Sequence, residues 1–214
     1  MQLKENGLKI LKITRKKFIY LISPNKITSN FYQQLNLVLK TGKVSFFQMR
    51  FKKYSSKKKF LIGTKIKKIC KRYRVKFLVN DEPRLAKKLN ADGCHLGQND
   101  MSLKEAKRLI GKKIIGVTCH NSIKLAKIAI KSNVSYLAFG AFFSSKTKKT
   151  KYSANFKILI KVNKLTKIPL VAIGGINLDN YRNLLLNKAN FLAISGYIWN
   201  NKKYKPQDAI KKFI

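Results

Sequence analysis

Two aspartates carry the clearest chemistry in this sequence. The chain has eight acidic residues against 48 basic ones, yet Asp81 and Asp100 each close a short apolar run, FLVND and HLGQND. Two carboxylates brought together offer hard oxygen donors for Mg2+, which keeps several waters that a phosphate oxygen can displace. Taken singly, Asp81 reads equally well as the cap of a following helix. As a pair facing a basic surround, the two read as a metal site. Gln48, Arg50 and Lys52 alternate along QMRFK, so an extended chain sends all three to one side. Arg and Lys on one side suit a diphosphate, although such a triplet is also an ordinary charged strand end. Gly174 and Gly175 would let backbone N–H groups approach an anion at the start of a helix, or form a plain turn. His120 has a side chain fit for a base near neutral pH and fits a loop histidine equally well. No Ser-His-Asp order, HExxH or P-loop is present.

Something must hold these groups in place, and recurring short apolar runs supply it. Strands are expected at 18–22, 44–49, 75–80, 93–96, 114–118, 136–140, 170–174 and 191–195. Several are apolar nearly throughout, as in parallel strands buried on both faces. Helical spacing fills the intervals. Ile62, Ile66, Ile69, Cys70 and Tyr73 share one face of 54–73, and Leu125, Ile128, Ala129 and Ser132 one face of 122–132. Ser102 with Glu105 forms a capping-box pattern. Pro83 suits a first helical turn, and Asn177 and Asp179 stand where a helix should begin.

Strands alternating with helices in this way predict an α/β fold: a single (β/α)8 TIM barrel domain spanning 1–214. An open doubly wound sheet is the alternative, but it usually has fewer strands, and no GxGxxG follows the first run. Barrel active sites lie at the C-terminal strand ends. That rule puts Gln48, Arg50, Lys52, Asn80, Asp81, Asp100, Thr118, the stretch GAFFSSKTKKTKYS, Gly174-Gly175 and Ser195-Gly196 on one face. A Mg2+ site, a cationic diphosphate grip and a phosphate cradle on one face describe an enzyme that joins or moves phosphorylated groups.

The net charge of +40 invites a nucleic-acid or polyanion reading. The excess is almost all lysine, with seven arginines, and it is spread over nearly every segment. A specific nucleic-acid binder leans on Arg, aromatic stacking and a localised patch. Compositional drift toward Lys, Asn and Ile is therefore favoured, with no specific nucleic acid as partner and weak, salt-sensitive polyanion binding either way. Cys70, Cys94 and Cys119 form no CxxC pair and fit a reducing, cytoplasmic setting. Cys94 and His95 would point to opposite faces of a strand and make a poor metal pair. No signal peptide, no membrane span and no membrane partner are expected.

In order along the chain, YLISPNK, QMRFK, FLVNDEPRLAKKLNADGCHLGQND, IIGVTCH, YLAFGAFFSSKTK and IPLVAIGGIN resemble the thiamine-phosphate synthase family, the ThiE/TenI group, from about Phe18 to Trp199. The resemblance implies a transferase of thiamine biosynthesis. Hydroxymethylpyrimidine diphosphate would lose pyrophosphate through a pyrimidine-stabilised carbocation, and its methylene carbon would bond to the nitrogen of thiazole phosphate. By position, Gln48, Arg50 and Lys52 would hold the pyrimidine diphosphate, Asn80 would contact the pyrimidine and its diphosphate, and Asp81 and Asp100 would bind Mg2+. Thr118 stands where the family usually has Ser. Lys148 would stabilise departing pyrophosphate, with Ser145 and Thr147 toward the thiazole. Gly175 and the backbone near Ser195 and Gly196 would take the thiazole phosphate. Arg50, Thr118 and Lys148 are the expected catalytic groups. Lys146 replaces a loop proline of the family, and Phe191 stands where the family often has Gly. Two rivals remain: a TenI-type thiazole tautomerase using His120, and a polyanion-binding protein on a barrel scaffold. The oligomeric state stays open, a homo-oligomer included.

Overall fold

The computed structural model describes residues 17–144 and 152–214. Its strands are β1 (Ile19–Ile22), β2 (Val44–Met49), β3 (Lys76–Asn80), β4 (Gly93–Leu96), β5 (Ile114–His120), β6 (Tyr136–Gly140), β7 (Leu170–Ile173) and β8 (Phe191–Ile194). They pair in sequence order, and β8 returns to β1, so the sheet is a closed barrel. All the pairs are parallel. Closure rules out the open doubly wound sheet. The strands match the expected runs within about a residue, except that β5 continues to His120. There the β5–β6 register slips between Thr118 and His120, and His120 takes a φ of 52°, as at a bulge.

Alternation along each strand divides the core into two layers. Tyr20, Ile22, Leu78, Tyr136, Ala138, Val171 and Ala193 fill the barrel interior, with Phe46 and Phe191 against them. Ile19, Leu21, Phe47, Phe77, Val79 and Cys94 belong to the larger outer layer beneath the helices. Full burial of one such side chain contributes about 1.5–3 kcal/mol. Gly116 has a packing reason: a Cβ there would come within 1.8 Å of Tyr136 Cζ. Its missing side chain is the space that the Tyr136 ring occupies.

The outer helices are α1 (Phe31–Lys40), α2 (Ser56–Arg72), α3 (Pro83–Lys88), α4 (Leu103–Ile110), α5 (Ile123–Lys131), α6 (Phe156–Leu165), α7 (Tyr181–Leu186), α8 (Gly196–Trp199) and α9 (Pro206–Lys211). On α2 the expected stripe is the packing face: Ile62, Ile66 and Cys70 are buried. Ser55 caps this helix by accepting from the Lys58 N–H. The Ser102–Glu105 capping box opens α4, and Pro83 sits in the first turn of α3. On α5 the expected face holds in part: Ala129 is buried and Leu125 packs against the core. Ala126 and Ala129 are its buried residues, and Ile128 is 52% exposed. The Leu125–Ile128–Ser132 edge lines a groove beside α4. Small residues face the barrel there because they let the helix approach closely. The helix after Gly175 also begins later than expected, at Tyr181. Asn177 spends its side chain on a turn, accepting from the Asp179 and Asn180 N–H groups. Among the described residues no helix is long and apolar enough to cross a membrane.

Candidate active site

The two aspartates converge. Asp81 follows β3 with φ 64°, and its N–H donates to the His95 carbonyl at 2.8 Å. Asp tolerates that left-handed turn better than most residues, and the turn directs its carboxylate into the mouth between β3 and β4. Asp100 arrives from the loop after β4. The Gly97 N–H donates to its Oδ2 at 2.6 Å, and a Cβ on Gly97 would stand 3.0 Å from that oxygen. Burial holds the Asp100 carboxyl above its usual range, and the hydrogen-bonded, like-charged Asp81 pushes it further up; Gly97 N–H and Lys52 pull it back. Such a pair gains from a cation between its members. Lys52 Nζ lies 3.2 Å from Asp81 Oδ2 and supplies only part of that compensation. The donors are hard carboxylate oxygens. No group of three or more His, Cys, Asp or Glu joins them among the described residues. Two protein oxygens plus waters and substrate phosphate is the kind of shell that Mg2+ accepts, so the residues present fit the ion.

A cleft of about 220 Å3 beside the pair is lined by Phe51, Lys52, Lys59, Asn80, Asp81 and Glu82 among others. Lys59 and Glu82 pair across it at 2.5 Å. Arg50 stands half-buried behind. Burial lowers its pKa and Asp81 opposes the shift; a guanidinium stays charged all the same. The Arg50 backbone is fixed by Ser23. Its N–H donates to Ser23 Oγ at 2.9 Å, while Ser23 Oγ donates to its carbonyl at 3.3 Å. Ser195 Oγ donates in turn to the Ser23 carbonyl at 3.0 Å. The mouths of β8, β1 and β2 are thus laced together, and Ser195 spends its hydroxyl on that lacing. Gly196 opens the short α8 beside it.

Deeper in the barrel lies a polar string that the sequence reading missed. Gln48 Nε2 donates to Tyr20 OH at 2.9 Å, Tyr20 OH meets Tyr136 OH at 2.7 Å, and Tyr136 OH meets His95 Nδ1 at 2.9 Å. His95 Nε2 then meets Thr118 Oγ1 at 2.9 Å. Burial drives the Tyr20 and Tyr136 hydroxyls upward in pKa, so both stay protonated at neutral pH. Cys94 and His95 do face opposite ways: Cys94 packs in the outer layer while His95 reaches inward.

Gly174 and Gly175 have a second role beside any anion. The Phe142 and Phe143 N–H groups donate to the Ile173 and Gly174 carbonyls at 3.1 and 3.2 Å. A Cβ on Gly174 would lie 2.4 Å from Ala141 Cβ, and one on Gly175 would lie 2.3 Å from the Ser144 oxygen. Their φ values are 105° and 60°. The double glycine is the seat of the loop leaving β6. Ser145, Thr147 and Lys148, with Lys146, lie outside the described residues. His120 stacks on Tyr152 at 3.8 Å. Arg50, Lys52, Asn80, Asp81 and Asp100 therefore gather at the ends of β2, β3 and β4, Gln48 and Thr118 end the string inside the barrel, and Gly175, Ser195 and Gly196 lie at the ends of β7 and β8.

A closed parallel barrel with paired carboxylates and cations at its C-terminal mouth defines a class: barrel enzymes that act on phosphorylated substrates. Comparison with known proteins narrows it. A family model described as thiamine monophosphate synthase matches residues 19–198. The chain is 65% identical over 198 residues to a thiamine-phosphate synthase of Pelagibacter ubique, covering 92% of this chain and 96% of that one. It is 42% identical over 187 residues to one of Erythrobacter litoralis, covering 85% and 88%. A solved thiamine phosphate pyrophosphorylase from Pyrococcus furiosus superposes with a TM-score of 0.81 at 26% identity, covering 92% of this chain and 93% of that one. The chain belongs to the thiamine monophosphate synthase family.

Proposed function

We propose that this chain is a thiamine-phosphate synthase, a transferase that joins hydroxymethylpyrimidine diphosphate to thiazole phosphate. The observation that carries the reading is the carboxylate pair Asp81–Asp100 set beside Lys52 and Arg50. Asp81 and Asp100 would hold Mg2+, which when bound supplies positive charge to the diphosphate oxygens. Arg50 and Lys52 grip the same diphosphate from the β2 side. Gln48 and Asn80 hold the pyrimidine end. The methylene C–O bond breaks with its electron pair leaving on pyrophosphate. The pyrimidine ring stabilises the resulting carbocation, and the thiazole nitrogen lone pair closes the new C–N bond. No proton need be removed by a side chain, so preorganised charge is the main contribution asked of the protein. Thr118 and Lys148 would donate toward the departing pyrophosphate, Ser145 and Thr147 would contact the thiazole, and Gly175, Ser195 and Gly196 would take the thiazole phosphate.

The test is substrate dependence. Purified protein with Mg2+ should form thiamine monophosphate only when both substrates are present. Conversion of a thiazole phosphate isomer with no condensation would transfer the assignment to a tautomerase.

A further inference from the structure

Hydrogen bonds inside the barrel have a sense as well as a geometry. Five side chains form one unbroken string, Gln48–Tyr20–Tyr136–His95–Thr118, with links between 2.7 and 2.9 Å. A phenol has one hydrogen to give, a neutral imidazole one N–H, and a threonine hydroxyl one O–H. Gln48 turns its amide nitrogen to Tyr20, so Tyr20 receives that hydrogen and passes its own to Tyr136. Tyr136 then gives its hydrogen to His95 Nδ1. In that sense the nitrogen is the acceptor, which would put the ring proton on Nε2 and have Nε2–H donate to Thr118 Oγ1. The Thr118 hydroxyl hydrogen is consumed by no member of the string. In the opposite sense, Thr118 would spend it on His95.

Packing keeps the string in place. Tyr136 stacks on His95 at 5.7 Å with 11° between the rings, and meets Tyr20 edge-on at 5.6 Å. Gly116 yields the space for its ring. Gln98 Nε2 donates to the Thr118 carbonyl, fixing the backbone just before the register break that ends β5.

We propose that Tyr20, Tyr136 and His95 are positioning residues of the condensation, which set His95 as the Nε2–H tautomer and so reserve the Thr118 hydroxyl hydrogen for the departing diphosphate. This rests on the synthase reading above. None of the three needs to touch the reacting atoms. They act through Thr118 at one end and through Gln48, whose Oε1 is left as an acceptor, at the other. Hydrogen-bond partners that orient a metal ligand are worth about 10- to 100-fold in activity, and the same size of effect is expected for partners that orient Thr118.

The experiment uses the full-length chain labelled with 15N. The chain has two histidines, His95 and His120, and a His120→Gln variant assigns their ring nitrogens. Long-range 1H–15N spectra should show the His95 proton on Nε2. Tyr136→Phe keeps the ring and removes one hydroxyl. It should redistribute the His95 tautomers and lower kcat about 10- to 100-fold with KM little changed. Tyr20→Phe breaks the string one link earlier and should act in the same direction. A purely structural role would lower the melting temperature while leaving kcat alone; the His95 signals shift in either case, because Tyr136 bonds its ring directly. Wild-type His95 protonated on Nδ1, or a Tyr136→Phe enzyme with unchanged kcat, would overturn the proposal. The tautomer is read without turnover: a chain that shows Nε2–H but makes no thiamine phosphate refutes the synthase reading and leaves the string's sense standing.

Discussion

Replacing Asp100 by Asn should make the metal-free protein more stable and the enzyme nearly inactive. The folded chain holds Asp100 above the usual carboxylate range through burial and through Asp81. Between the unfolded pKa and the raised folded one, the native state binds more protons, so stability falls as pH rises through that window and stays lowered at pH 7. Two like charges about 4 Å apart repel by about 1 kcal/mol in water and about 4 kcal/mol at an effective dielectric constant of 20. The mouth is open to solvent, and Lys52 lies 3.2 Å from Asp81, so the lower figure applies after screening. Asn removes the repulsion, and its amide oxygen can still accept from the Gly97 N–H. At about 2–4 °C per kcal/mol for a chain of this size, the variant should melt about 2–4 °C higher at pH 7 without metal. The gain should vanish at a pH low enough to protonate Asp100 in both states. Added Mg2+ should raise the wild-type melting temperature and leave the variant's unmoved. Turnover should drop about 10²- to 10³-fold, as for loss of one preorganised electrostatic contact. Scanning calorimetry at pH 7 with and without Mg2+, and again at low pH, reads all but the last. A variant that melts lower than wild type without metal, or that responds equally to Mg2+, refutes the reasoning.

Gly175→Ala must place a Cβ 2.3 Å from the Ser144 oxygen at a φ of 60°. The backbone strain alone is about 1–2 kcal/mol, so a lower denaturation midpoint is expected, together with a higher KM for thiazole phosphate; an unchanged midpoint would show that the loop yields freely. Lys148→Ala should slow turnover far more than Lys151→Ala, and equal effects in steady-state kinetics would reduce that segment to a charged loop. The +40 charge should give nucleic-acid affinity that collapses between low and physiological salt. Filter binding that survives the salt would favour a polyanion-binding role.

The strands were legible because each is a short apolar run, and a parallel barrel asks for nothing subtler. The face of α2 was legible because large aliphatics mark it. The face of α5 was legible only in part: Ala129 and Leu125 pack inward as expected, but Ala126 is buried with them while Ile128 stays exposed, and spacing arguments weight size over closeness of approach. The aspartates could be found from their places at strand ends. The Tyr20–Tyr136–His95 string could not, because a tyrosine in an apolar strand looks like core until its hydroxyl finds a partner. One signal was available, since Gly116 inside an apolar strand marks a close approach, and the ring it admits belongs to Tyr136. Gly174-Gly175 suggested an anion seat; that it also seats the loop after β6 follows only from the closed barrel.

The most direct test is a quenched single-turnover reaction with excess enzyme, both substrates and Mg2+, repeated with a chelator. The account predicts thiamine monophosphate and pyrophosphate in equal amounts, and neither with the chelator. Pyrophosphate without thiamine monophosphate, no product at all, or the same yield without metal would contradict it.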